Sequence, residues 1–252
     1  MAVAEQRLTN IANLKERVDL AAAFRWAARY DLHESVANHF SFAVNEDGTQ
    51  FLMNPNCMHF SRIKASDLLL LDANDPSTLD HPNAPDVTAW GLHGALHRLC
   101  PHARCAMHVH SAFATVLACL EDGHLPAIDQ NSAMFHNRQV VDGEFAGMAM
   151  GDEGARCVSL FQDPKVKTLI MGNHGVMVIG DTVAETFNRL YYFERAAETY
   201  IRALQTGQKL KFLSEEVAEK TAQEWEEYSN LAEAHLSELK LILDGEGSDY
   251  AA

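Results

Sequence analysis

The chain has no apolar run approaching the roughly 20 residues that a membrane-spanning helix needs, so no membrane partner is expected. It has no Cys-x-x-Cys pair either. Its five cysteines (Cys57, Cys100, Cys105, Cys119, Cys157) are odd in number and scattered, which argues against a disulfide framework or a cysteine zinc cage. Positive charge is scarce: 20 Lys and Arg stand against 35 Asp and Glu, a net charge of -15. Nucleic acids and anionic lipids are bound by clustered Lys and Arg, so neither fits this chain. Residues 1–7 lack the basic-then-apolar layout of a secretory signal, and a cytoplasmic location is the expectation. The glycine spacings in 143–147 and 172–175 match no nucleotide-binding pattern.

What is present is a 252-residue chain, 47% hydrophobic, with 13 histidines, more than packing alone calls for. That surplus is the first hint of a metal. Apolar spacing predicts an amphipathic helix over residues 7–30. Short strands follow at 40–44 and 50–53, joined by the hairpin insert Asn45-Glu-Asp-Gly48, and a third apolar run covers 68–71. The Pro- and Asp-rich stretch 72–86 reads as a loop. Thr88 is placed to cap a helix reaching about residue 100, where Pro101 stops it. A strand at 105–110 leads to a helix opened by Ser111. Residues 123–151 read as mostly irregular, with room for short strands. A helix at 153–161 precedes strands at 166–171 and 176–179, and Thr182 caps a long helix to about 206. Alternating strands and helices imply a sheet covered by helices, an α/β domain. We place this domain at residues 1–209. Residues 210–252 are an acidic helical tail with sparse apolar positions, suited to a lid or subunit contact.

His108-Val109-His110 is the first chemical signal, because residues i and i+2 of a strand share a face and both imidazoles can meet one ion. Alone, the pair is equally compatible with ordinary buried or surface histidines. His174 supplies a third donor, in a tight turn between two apolar strands. Three histidine ligands leave an open position, which is the pattern of a catalytic rather than a structural zinc site. Zinc is the first expectation, with Mn or Fe as alternatives. His93 and His97, four apart, share one helix face and can address substrate, orient other groups or lie partly exposed.

Arg98-Leu-Cys-Pro-His102 followed by Met107-His-Val-His-Ser111, and Leu169-Ile-Met-Gly-Asn-His-Gly-Val-Met-Val-Ile-Gly180, resemble the two histidine signatures of the class II aldolase/adducin family. Asn54-Pro55 and Ala65-Ser-Asp-Leu68 resemble its early strand and turn, nearest the adducin-like branch. The resemblance covers about residues 14–209. It implies a three-layer α/β/α domain, a homotetramer with sites near subunit boundaries, and a divalent ion on His108, His110 and His174. It also implies roles for His39, which stands in a substrate-binding position of the family, and for His136, in a loop that in the family reaches towards the site.

Two departures shape the expected chemistry. Ala89 stands where the sugar-phosphate aldolases of this family carry a catalytic Glu. Asn38-His39-Phe40-Ser41 stands where their phosphate-binding Gly-Asn-x-Ser is expected. The expected function is therefore a metal-dependent lyase that cleaves a carbon–carbon bond, by decarboxylation or aldol-type cleavage, in a small, oxygenated, unphosphorylated carboxylic acid. His39, His93 and His136 are the candidates for moving the proton. The alternatives are a non-catalytic adducin-like interaction domain, or a sugar-phosphate aldolase or epimerase whose base has moved to Asp86 or Glu153.

Overall fold

The computed structural model describes residues 12–144, 153–228 and 230–252. The first helix, α1 (Leu14–Arg29), begins at Asn13, which takes a left-handed backbone; the expected start at residue 7 lies outside the described residues. Three short strands follow: β1 (His39–Ala43), β2 (Gln50–Met53) and β3 (Leu69–Asp72). Helix α2 (Val87–Leu99) is capped by Asp86 rather than Thr88, the Asp86 side chain accepting the Thr88 N–H. Both residues can cap; Asp86 does so two residues earlier than the apolar pattern suggests. Strand β4 (Cys105–Val109) then runs into helix α3 (Ala112–Ala118).

The stretch expected to be mostly irregular holds a one-turn helix, α4 (Gln130–Ala133), and strand β5 (Gln139–Asp142). Asp129 and Ser132 close a capping box on α4. Helix α5 (Glu153–Leu160), strands β6 (Thr168–Met171) and β7 (Gly175–Gly180) and the long helix α6 (Val183–Gln205) lie close to their expected bounds. The tail forms two helices, α7 (Glu215–Glu227) and α8 (Leu231–Gly245), separated near Asn230, which is left-handed.

Among the described residues the strands form one mixed sheet in the order β3-β2-β1-β4-β7-β6-β5. All neighbours are antiparallel except β5 and β6. Side chains alternate across a strand, and this alternation sorts the core into two sides. Cys105, Met107, Val109, Ile170, Val176 and Val178 pack with residues of α1, α3, α6 and α8. Ala106, Leu169, Met171, Met177 and Ile179 pack on the other side with α2 and α5. The molecule is thus the three-layer α/β/α arrangement that the element pattern and the resemblance imply.

Helix α8 places Leu236, Leu239 and Leu243 in the same cluster as α1 and α6, fully within the core. The Trp26 indole N–H also donates to the Leu239 carbonyl at 2.9 Å. This part of the tail packs into the core, and its apolar positions look sparse in sequence because only one stripe of the helix is buried.

Candidate metal centre

Period-2 alternation decides which histidines meet. On β4, Ala106 and His108 face the α2 side of the sheet, and on neighbouring β1 so do His39 and Ser41. His39 is paired in register with His108. His108 is also paired with Met177 of β7, which brings the β6–β7 turn and His174 alongside. In that turn Asn173, not a glycine, adopts the left-handed backbone (φ 57°). Gly175 matters through close approach: a Cβ there would lie 2.4 Å from the Val109 carbonyl oxygen and 2.9 Å from a His110 ring carbon.

His110 follows β4 immediately and is held from two directions. Its N–H donates to Asn38 Oδ1 at 3.4 Å, and the same oxygen accepts the Glu34 N–H at 2.8 Å. Behind it, helix α3 has its first N–H groups capped from α6: Glu194 accepts from Phe113 and Ala114 and from the Ser111 hydroxyl. Ser111 itself makes no cap, so the helix start predicted there depends on a residue about 80 positions away in sequence.

The result is a cluster of three imidazoles. The ring centroids of His108, His110 and His174 lie 4.7–4.9 Å apart, and one nitrogen from each falls within 4.8 Å of the others. His108 donates Nδ1–H to the Val176 carbonyl at 3.1 Å, and His110 donates Nδ1–H to Glu34 Oε2 at 2.6 Å. A neutral imidazole carries one N–H, so in both rings Nε2 bears a lone pair. Those two bare nitrogens face each other at 3.0 Å. With no proton between them the contact is repulsive, and a cation between them makes it attractive. A tetrahedral zinc with arms of about 2.0–2.1 Å sets neighbouring nitrogens about 3.3 Å apart. The donor set therefore fits a divalent ion.

Burial keeps the His108 and His174 rings neutral. It pushes His108 well below its ordinary range, and His174 down to about 4, with the neighbouring His110 adding to the effect. Glu34 is the outer carboxylate of this arrangement, and no spacing in the sequence marks it; it reaches His110 because Asn38 folds the chain between α1 and β1 back onto the strand. We expect Glu34→Gln, on an exposed side chain, to leave the fold intact and weaken metal binding by about 10-fold or more. A zinc titration checks this.

Of the other sequence candidates, His39 and His93 join the neighbourhood. His39 Nδ1 lies 2.6 Å from His93 Nε2, and its ring centroid lies 5.0 Å from that of His108. Burial holds His39 at about 3 and His93 well below the usual histidine range, so both are neutral. His136 is not brought to the cluster by any described contact. It pairs instead with Glu215 of α7 at 3.1 Å, because the tail helix lies over the turn after α4. Ala89 sits in an apolar nest with Phe51, Met53, Leu71 and Ala73. Glu153, one of the two alternative bases, places Oε1 3.9 Å from His174 Nδ1, and burial raises its carboxyl above the usual range.

An α/β/α sheet with an open histidine triad at the end of a central strand defines the class. The family model for the Class II Aldolase and Adducin N-terminal domain matches residues 18–201, and the chain belongs to that family. A Pseudomonas aeruginosa protein named as an aldolase class 2 protein is 30% identical over 81% of this chain and 78% of its own length. Rat alpha-adducin is 26% identical over 75% of this chain, which spans only 25% of the adducin. Among solved structures, an aldolase II superfamily protein from Pseudomonas syringae matches with a TM-score of 0.86 at 26% identity, covering 97% of this chain and 98% of that one. The fold is also that of L-fuculose 1-phosphate aldolase from Glaciozyma antarctica, with a TM-score of 0.80 at 20% identity over 96% of this chain and 95% of that one.

Proposed function

We propose that this protein is a metal-dependent lyase that cleaves a carbon–carbon bond in a small, oxygenated, unphosphorylated carboxylic acid, by decarboxylation or aldol-type cleavage. The observation that carries the reading is the pair of bare Nε2 atoms of His108 and His110 facing each other beside His174. A divalent ion, zinc first with Mn or Fe as alternatives, supplies Lewis acidity that draws electrons from a carbonyl or hydroxyl oxygen and stabilises the carbanion left by bond cleavage. The protein's own residues fix this chemistry. Val176 and Glu34 set the tautomers of His108 and His110. His39, partly exposed beside His108, offers a neutral imidazole to a substrate hydroxyl, and His93 holds its other nitrogen. Ala89, packed with Phe51, Met53, Leu71 and Ala73, offers no carboxylate of its own, which supports a reaction that relies on the metal rather than on a Glu at that position. Asn38 Nδ2, buried and without a hydrogen bond among the described residues, adds a donor that suits an oxygen-rich ligand.

We read the chain as a cytoplasmic homo-oligomer, a tetramer by family. Residues 1–209 carry the site, and 210–252 contribute to subunit contact. The exposed apolar side chains Phe212, Val217 and Tyr228 support the tail's role. A second reading has a specific observation behind it: Glu153 beside His174 is a carboxylate near the cluster, as a sugar-phosphate aldolase or epimerase with a relocated base requires.

The test is a screen of zinc-loaded protein on small oxo- and hydroxy-acids for released carbon dioxide or aldehyde, with sugar phosphates in parallel. We expect turnover of an unphosphorylated acid, lost in His110→Ala. Turnover of a sugar phosphate alone, abolished by Glu153→Gln, selects the second reading. Full zinc loading with no turnover of any compound selects the non-catalytic, adducin-like one.

A further inference from the structure

Behind the metal cluster, four polar side chains, three of them buried, make a continuous line. His97 Nδ1 lies 2.6 Å from the Ala103 carbonyl oxygen, and His97 Nε2 lies 2.7 Å from the Ser41 hydroxyl. The same hydroxyl meets His93 Nδ1, and His93 Nε2 meets His39 Nδ1 at 2.6 Å. His93, His97 and Ser41 are buried, and His39 alone has partial access to solvent.

We propose that Ser41, His93 and His97 form a one-way hydrogen-bond chain, anchored on the Ala103 carbonyl, that fixes His39 as the Nδ1–H tautomer and leaves its Nε2 as an open acceptor for a substrate hydroxyl. This deepens the reading of His39 given above and rests on it only for the last clause.

Direction follows from the anchor. A carbonyl oxygen only accepts, so His97 must carry its proton on Nδ1 and present a lone pair at Nε2. The Ser41 hydroxyl then has to donate to His97. Having spent its only proton, Ser41 can only accept from His93, which is therefore protonated at Nδ1 and bare at Nε2. His39 must fill that acceptor with its own Nδ1–H. Each link leaves the next one choice when every imidazole is neutral, and none of the hydrogen bonds along the line brings in a carboxylate that would hold a charge there. Ala103 is buried, so the chain ends inside the protein and sets a tautomer rather than conducting protons to solvent. Sequence placed His93 and His97 on one helix face. The missing piece was Ser41, two residues from His39 on the facing strand and thus on the same side of the sheet.

Ser41, His93 and His97 are positioning residues, so the readout is spectroscopic. In the full chain labelled with 15N-histidine and free of metal, long-range proton–nitrogen spectra should show His39 and His93 protonated at Nδ1 and bare at Nε2. His97→Phe removes the anchor and lets the Ser41 hydroxyl turn to His93 Nδ1. The Nε2 resonances of His93 and His39 should then shift into the protonated range. His97→Gln, whose side-chain carbonyl can accept from Ser41, should restore the original pattern. Ser41→Ala deletes a single buried oxygen and guards against misfolding of the Phe variant; it should give a mixture of His39 tautomers. Zinc content should stay at the wild-type level throughout, since no triad residue is touched. His108→Ala, which removes a metal donor but no link of the chain, should keep the His39 pattern, so failure of the metal reading would leave this result standing. Wild-type His39 found protonated at Nε2, an unchanged pattern in both His97→Phe and Ser41→Ala, or His39 Nε2 bound directly to added zinc would overturn the proposal.

Discussion

His110→Ala and His108→Ala proteins are expected to lose their divalent metal, falling from one ion per chain to near zero after dialysis against dilute chelator. Four-ligand zinc sites bind with about 10–16 kcal/mol, a share of about 3 kcal/mol per ligand, so deleting one imidazole should weaken binding roughly 100-fold. The two variants are not equivalent. His110 is partly exposed and its partner Glu34 reaches water, so its removal tests the metal with little structural cost. His108 is buried and donates to the Val176 carbonyl; removing it deletes that hydrogen bond and adds about 1 kcal/mol of destabilisation. Metal analysis by mass spectrometry, read beside a thermal melt, separates the two effects. Retention of the full metal content in both variants would remove the site assigned to these residues.

Acid should unfold the metal-free protein at an unusually high pH. His93, His97 and His108 are buried, and burial holds all three below their ordinary value, His97 at about 4. In the unfolded chain each takes up a proton near pH 6.5. Above that value both states are neutral and the full stability is present. As pH falls from about 6.5 towards 4, the unfolded state gains protons that the folded state refuses, so stability is lost. Each group that stays neutral in the folded state costs about 1.4 kcal/mol per pH unit below its unfolded value, so three of them together remove several kcal/mol across this window. That is comparable to the whole stability of an ordinary domain, about 5–15 kcal/mol. The expected midpoint is about pH 4.5–5.5 by circular dichroism. Urea titrations of His97→Gln should show the slope of stability against pH reduced by about a third. Stability that stays flat between pH 7 and pH 5 would contradict the burial of these neutral rings.

Much of the architecture was legible because it rests on local periodicity. The alternation in 105–110, the apolar runs around residue 173 and the Thr182 cap are short-range patterns, and they gave the central strands and the long helix to within a few residues. The clustering of three imidazoles was legible for the same reason: two of the rings are placed by strand spacing and the third by a turn between two strands. Strand β5 and helix α4 were not, since Gln139-Val-Val-Asp142 holds only two apolar residues between polar ones and Gln130-Asn-Ser-Ala133 is almost wholly polar. Nor was the place of α8, whose buried stripe of Leu236, Leu239 and Leu243 has meaning only once α1 and α6 provide a surface for it.

By itself, then, the sequence determined the layered fold, the three imidazoles and the absence of a Glu at position 89, all properties of residue identity and spacing along one or two elements. The tertiary structure alone decided which groups surround those imidazoles. Glu34 on His110, Glu194 capping α3, Glu153 beside His174 and the line from Ala103 to His39 join residues far apart in the chain. Such contacts depend on strand register and helix packing, and a hydrogen bond has no period in sequence. His136 is a further case: the partner its side chain meets, Glu215, lies on a helix more than 70 residues later.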